Sequence, residues 1–97
     1  MNAIYVIVDN GKAESVIEAA KKGGARGGTV INVRDSNIDE NNKLLLMNNK
    51  PEKDFVLIVA DNNLTDSITS SIREDLKIEE PVNGLIFVQD VNEAFGF

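Results

Sequence analysis

Apolar residues occur along this chain in four short dense runs, each with the length and composition of a β-strand. The runs are rich in valine and isoleucine, whose branched side chains favour strands. The predicted strands cover residues 3–8, 29–33, 55–60 and 85–88. Several of these runs are apolar at consecutive positions, so both faces of the predicted sheet carry apolar side chains.

Two segments between these runs carry apolar residues at helical spacing. The first predicted helix covers residues 12–22, and Gly23 and Gly24 end it, as glycine commonly does at a helix C-terminus. The second helix follows the third strand. Its apolar stripe is an unbroken i, i+4, i+8, i+12 series that consists of Leu64, Ile68, Ile72 and Leu76.

The elements form two β-α-β units in series, since each helix lies between two strands. This order predicts an α+β protein with the ferredoxin-like βαβ-βαβ arrangement, in which two helices cover one face of a four-stranded antiparallel sheet. We expect residues 1–97 to form a single domain. Two helices cannot cover both apolar faces, so we expect other copies in a closed homo-oligomer to bury the second face. The alternative is that the C-terminal tail or the long loop folds over it.

A polar loop of unusual length, residues 35–53, separates the second and third strands. Loops of this length inside small domains are usually functional or disordered. Within it, the apolar run Leu44, Leu45, Leu46 and Met47 is either a patch that docks on a partner or an extension of the third strand that packs on a neighbouring subunit. Asp35, Asp39 and Glu40 are more simply explained as solvated charges than as a metal site, because their spacing fits no calcium-binding loop.

Composition excludes several classes of function. The net charge of −6 argues against nucleic-acid binding, which needs a clustered basic face. The chain contains neither cysteine nor histidine, so it has no thiolate chemistry, no Ser-His hydrolase site and no usual general base at neutral pH. We therefore expect no enzyme activity. No apolar run approaches the length of a membrane span, and the first strand begins at once without a basic leader, so we expect a cytoplasmic protein without membrane insertion.

The glycine-rich segment at residues 23–28 has two interpretations. Its backbone N–H groups, together with Arg26 and Arg34, form a candidate anion-binding site. Alternatively, the glycines end the helix and permit a tight entry into the next strand. The second interpretation is favoured, because phosphate-binding glycine loops precede a helix whereas these glycines precede a strand.

Two motifs carry a resemblance to a known family. Residues 24–30 (GARGGTV) and residues 80–88 (EPVNGLIFV) resemble the nitrogen regulatory protein P-II family. The resemblance implies a homotrimeric signalling protein that binds an adenine nucleotide (ATP, ADP or AMP) in clefts between subunits and acts on an unidentified protein target through its long loop. The ligand-binding residues it implies are Arg26, Gly27, Gly28, Thr29, Arg34, Asn83 and Gly84. The loop through which the resemblance implies partner binding contains the candidate partner-binding residues Ser36, Leu44, Leu45, Leu46 and Met47.

The chain also departs from the family pattern. Residues 82–85 read VNGL where members typically carry Gly-Asp-Gly-Lys, so the cation expected near a phosphate is missing. Binding of Mg-ATP with 2-oxoglutarate is therefore not carried over, and the loop has no tyrosine for uridylylation. The alternatives are a structural or metal-binding trimer of the CutA type, which a metal titration would reveal, and a small-molecule-binding module of the ACT type, which an amino-acid ligand would favour.

Overall fold

The computed structural model describes residues 1–34, 52–78 and 83–95, which contain four strands and two helices. All six predicted elements are present, and most extend one to three residues beyond their predicted bounds. In chain order the elements are β1 (Asn2–Asp9), α1 (Ala13–Lys22), β2 (Thr29–Arg34), β3 (Glu52–Ala60), α2 (Asn62–Leu76) and β4 (Leu85–Asp90). β3 begins at Glu52, so Lys53, which we expected in the long loop, lies in the strand instead.

The strands form one antiparallel sheet in the order β2-β3-β1-β4. β1 lies at its centre and pairs with β3 on one side, where Ile4 is opposite Ile58, and with β4 on the other, where Ile4 is opposite Val88. Among the described strands, β2 pairs with β3 alone. The sheet order and the two helices confirm the predicted ferredoxin-like α+β fold.

One face of the sheet packs against both helices and forms the core. Side chains from alternate positions of β1 and β3 meet those of the helices there, as strand geometry requires. The predicted stripe of α2 is confirmed, since Ile68 and Ile72 are fully buried and Leu64 and Leu76 are partly buried against the core. The sheet residues in this core are Ile4, Val6, Val8, Val56, Ile58 and Ala60.

The opposite face of the sheet, called here the open face, is also largely apolar. It carries the intervening strand positions, among them Tyr5 and Leu57, which face each other across β1 and β3. Its most exposed large side chains lie on the two outer strands, where Ile31 of β2 is 48% exposed and Phe87 of β4 is 41% exposed. The prediction that the sheet is apolar on both faces is therefore confirmed.

Candidate functional site

The buried charged residues of the sheet, and two of the predicted ligand residues, lie at or close to one end of the sheet. β1 and β2 end there, and β3 begins there, as the pairing of Asp9 with Lys53 and of Arg34 with Glu52 shows. β4 also begins on this side, with Leu85 opposite Ile7. The two internal segments outside the described residues, 35–51 and 79–82, join the described chain at or next to this end. We call it the loop end of the sheet.

A buried ion pair lies at the loop end. The Nζ atom of Lys53 lies 2.9 Å from Oδ1 of Asp9, and the two side chains are 0% and 8% exposed. The two residues are direct cross-strand partners, and their positions in β1 and β3 place them on the same side of the sheet as the open face. Moving two charges out of water is costly, so such a pair persists only when each charge is well partnered.

The side chain of the next residue, Asp54, lies on the other face of β3. Its carboxylate accepts a hydrogen bond from Asn10 Nδ2 (3.1 Å) and another from the backbone N–H of Gly11 (2.9 Å). Asp54 itself is 3% exposed. The first residues after segment 35–51 therefore hold the end of β1 from both faces, with Lys53 bound to Asp9 and Asp54 bound to the turn before α1.

The predicted ligand residues Asn83 and Gly84 also lie close to the loop end, before β4. The side-chain amide of Asn83 donates to the carbonyl oxygen of Lys77 (2.7 Å), so it closes the connection between α2 and β4. Gly84 is buried, and a Cβ added to it would lie 3.0 Å from the carbonyl oxygen of Ile7 and 3.1 Å from a methyl of Val8. Both residues thus have structural roles in the isolated subunit.

The other predicted ligand residues lie along the opposite edge of the sheet. Thr29 begins β2 and is opposite Leu57 of β3. A Cβ on Gly28 would lie 2.9 Å from Ile17 Cδ1 and 3.0 Å from Ile58 Cγ1, which supports the interpretation of Gly28 as a tight entry into the strand. Arg26 is exposed just before this entry, and among the described residues no atom apart from its chain neighbours lies within 4 Å of the Cβ position of Gly27.

The two groups of candidate residues therefore do not meet within one chain. One group precedes or begins β2 and the other precedes β4, with β3 and β1 lying between them. Arg34 ends β2, but its side chain lies outside the described residues. The partner-loop residues Ser36, Leu44, Leu45, Leu46 and Met47, and the acidic residues Asp35, Asp39 and Glu40, also lie outside them.

Sequence reasoning missed the group formed by Asp9, Lys53 and Asp54. The first strand predicted from the sequence stops before Asp9, and the predicted loop includes Lys53. The signal was a pair of opposite charges, Lys53 and Asp54, directly before an apolar strand. Within residues 1–34, 52–78 and 83–95 no cluster of three or more acidic residues is arranged to hold a metal ion. The helices of these residues are too short or too polar to cross a membrane.

Comparison with known proteins assigns the family. The family model described as nitrogen regulatory protein P-II matches residues 1–96. A search of curated proteins finds no match to the chain. The match covers nearly the whole chain, including both motifs that carry the resemblance and the order of elements that the structure displays. The chain therefore belongs to the nitrogen regulatory protein P-II family.

Proposed function

We propose that this protein is a cytoplasmic P-II regulator that works as a homotrimer. It binds a small ligand in clefts between subunits and acts on a protein target through the segment between β2 and β3. The P-II family is a regulatory, non-catalytic family, so the chain is a P-II-like regulatory protein. The absence of histidine and cysteine from the sequence agrees with a role that involves no catalysis.

The observation that carries this proposal is the separation of the candidate ligand residues. Thr29 and Gly84 belong to opposite edges of one sheet, so a single chain does not bring them to one ligand. In a closed ring of identical copies, an edge of one subunit faces a different edge of the next. Such a ring offers a cleft between the β2 edge of one copy and the β4 edge of its neighbour.

The open face supports the same assembly. Ile31, Val59 and Phe87 are between 36% and 48% exposed on it. Large contiguous apolar surfaces are uncommon on monomeric proteins and usually mark interfaces. Packing of three open faces against each other removes these side chains from water, which is the main favourable term in association.

The ligand we propose is an adenine nucleotide, and its phosphates need a cation. Arg26, which lies beside the entry to β2, is one of the cations near the proposed cleft, and Arg34 at the end of β2 is another. Guanidinium groups suit phosphate because their planar N–H groups bind two oxygens at once. The base and ribose would then lie near Thr29 of one subunit and Gly84 of the next.

The oligomeric state tests the assembly, and β4 offers a matched pair of variants. Phe87 and Val88 are neighbours with similar exposure, 41% and 49%, but they point to opposite faces of the sheet. We expect Phe87→Asp to yield a monomer and Val88→Asp to remain trimeric in native mass spectrometry and light scattering. A monomeric wild-type protein, or equal dissociation of both variants, would contradict the proposed trimer.

Thermal unfolding with ATP, ADP and AMP tests the ligand. A nucleotide at 100 times its Kd stabilises the folded protein by about 2.7 kcal/mol per site, which raises the midpoint visibly. We expect Arg26→Ala to abolish the shift and Lys21→Ala, which removes an exposed cation of α1, to preserve it. A shift that both variants retain would remove Arg26 from the site, and no shift with any nucleotide would contradict nucleotide binding.

A comparison of captured proteins tests the role of the long segment. Wild-type protein and a variant with serine at Leu44, Leu45, Leu46 and Met47 are used as baits in parallel. We expect a target that the wild type retains and the variant loses, while both baits remain trimeric. Retention of the same proteins by both baits would show that this apolar run does not bind the target.

A further inference from the structure

The turn between β1 and α1 contains an asparagine followed by glycine, the sequence most prone to spontaneous deamidation. The chain has two such pairs, Asn10–Gly11 and Asn83–Gly84. Asparagine is among the thermolabile residues of proteins, and a following glycine is the most reactive neighbour because it offers no side chain to hinder attack. We propose that Asn10 is a latent site of covalent modification by deamidation, and that Asp54 keeps it in the amide form.

The backbone explains why this reactive sequence occupies the turn. Gly11 has a φ of +97°, a conformation that residues with a Cβ rarely adopt. Among the described residues no atom apart from its chain neighbours lies within 4 Å of its Cβ position, so the conformation and not the available space requires glycine. Asn10 precedes it and supplies a side-chain donor to the buried Asp54. The turn therefore needs glycine at position 11 and uses an amide at position 10.

The reaction would proceed in two balanced steps. The Gly11 backbone nitrogen forms a bond to Cγ of Asn10 and loses its proton, while the Cγ–Nδ2 bond breaks and the amide nitrogen leaves as ammonia. The resulting cyclic imide then takes up one water, which breaks one of its two C–N bonds and yields aspartate or isoaspartate. The net change is the uptake of water and the release of ammonia, and no oxidant or reductant is involved.

Asp54 binds both nitrogens that take part in this reaction. Its Oδ2 accepts from the Gly11 N–H at 2.9 Å, and its Oδ1 accepts from Asn10 Nδ2 at 3.1 Å. The attacking nitrogen must give up its proton beside this carboxylate, where negative charge on nitrogen is unfavourable. The imide retains neither N–H donor, so its formation leaves a buried carboxylate without these two hydrogen bonds.

The burial of Asp54 keeps its carboxylate in place, which maintains both hydrogen bonds. Asp54 is 3% exposed and belongs to the β-ladder, where it is opposite Val8, so it does not move aside without opening the sheet. Asn10 and Gly11 are themselves exposed, so water for the second step is at hand. The products would place a new carboxylate against Asp54, and isoaspartate would also lengthen the backbone before Gly11. Deamidation would therefore weaken the turn.

Peptide mapping by mass spectrometry after incubation of the purified, assembled protein at mildly alkaline pH tests the proposal. In the variant Asp54→Asn we expect deamidation of Asn10 to become about tenfold faster, since loss of one hydrogen bond to a charged group changes a rate by at least that order. Asn83 serves as an internal control, because its side chain donates to Lys77 and not to Asp54. Its rate is expected to stay unchanged.

Three results would overturn the proposal. A slower reaction in Asp54→Asn would mean that the carboxylate acts as a base that promotes the attack. Equal acceleration at Asn10 and Asn83 would mean that the substitution merely loosens the whole fold. If the variant does not fold, the wild type in urea supplies the reference, and a rate at Asn10 in the native protein equal to the rate in urea would show that the folded turn gives no protection.

Discussion

Lys53 and Asp54 are adjacent residues of opposite charge, and both are buried at the start of β3. Successive strand residues point to opposite faces, so their two charges do not compensate each other directly. Each instead binds the end of β1, Lys53 through the Asp9 carboxylate and Asp54 through the turn at Asn10 and Gly11. These contacts bind the start of β3 to the end of the central strand β1, directly after the segment 35–51.

Substitution of Lys53 by methionine tests how strongly the Asp9–Lys53 pair holds the loop end. The variant keeps most of the side-chain volume but removes the ammonium group 2.9 Å from the buried Asp9 carboxylate. Breaking a buried pair by removing one partner costs about 3–5 kcal/mol. We expect the free energy of unfolding, measured by urea denaturation, to fall by about that amount.

The exposed pair between Lys22 and Asp75 provides the control. Its N–O distance is nearly the same, 3.0 Å, but the side chains are 67% and 35% exposed. Surface pairs contribute about 0–1 kcal/mol, because water screens and competes for the charges. Lys22→Met should therefore change stability little. If Lys53→Met has an equally small effect, the buried pair does not stabilise the loop end.

At the scale of elements, the two helices approach each other unusually closely where α1 ends. A Cβ added to Gly23 would lie 2.6 Å from Cα of Ile68 and 2.7 Å from the carbonyl oxygen of Ser67, both backbone atoms of α2. Near this contact the hydroxyl of Ser71 donates to the carbonyl oxygen of Ala19 at 2.6 Å. Gly23 thus acts as a packing residue in addition to ending α1.

Substitution of Gly23 by alanine distinguishes packing from backbone preference. Gly23 has helical torsion angles, φ −80° and ψ −5°, so backbone preference alone predicts that alanine stabilises the protein by about 0.5–1 kcal/mol. The clash with α2 predicts the opposite sign, a loss of about 1–3 kcal/mol as the helices separate. We expect destabilisation in urea unfolding, with the exposed Ser70→Ala of α2 as a near-neutral control.

At the scale of the whole molecule, this chain of 97 residues has a sheet with apolar side chains on both faces, and in the part that the structure describes helices cover only one of them. Domains of this size bury a modest share of their surface and gain stability from association. The open face, with Phe87 and Ile31 exposed at its two edges, has the character of an interface. Stability and assembly are therefore expected to be coupled.

This coupling predicts that the thermal midpoint depends on protein concentration. If folded subunits are stabilised by assembly, mass action raises the midpoint as concentration increases. We expect this rise for the wild type in scanning calorimetry over a hundredfold range of concentration, and its absence for Phe87→Asp. A midpoint of the wild type that stays constant over this range would argue that the subunit is stable alone.

Much of the fold follows from the sequence, because its signals are local. The apolar runs of the strands, the apolar stripe of α2 and the repeated β-α-β order can all be recognised from patterns a few residues long. They specified all six elements and the ferredoxin-like arrangement. The motifs at residues 24–30 and 80–88 likewise indicated the family, which the match over residues 1–96 confirms.

The candidate site was less predictable, because it depends on residues brought together from distant parts of the chain. The sequence alone indicated the P-II family, a sheet with apolar side chains on both faces, and a set of candidate ligand residues. Only the tertiary structure paired Lys53 with Asp9 and placed Thr29 and Gly84 on opposite edges of the sheet. The physical reason is that periodicity specifies which face a side chain occupies, whereas register and strand order determine which distant residue lies beside it.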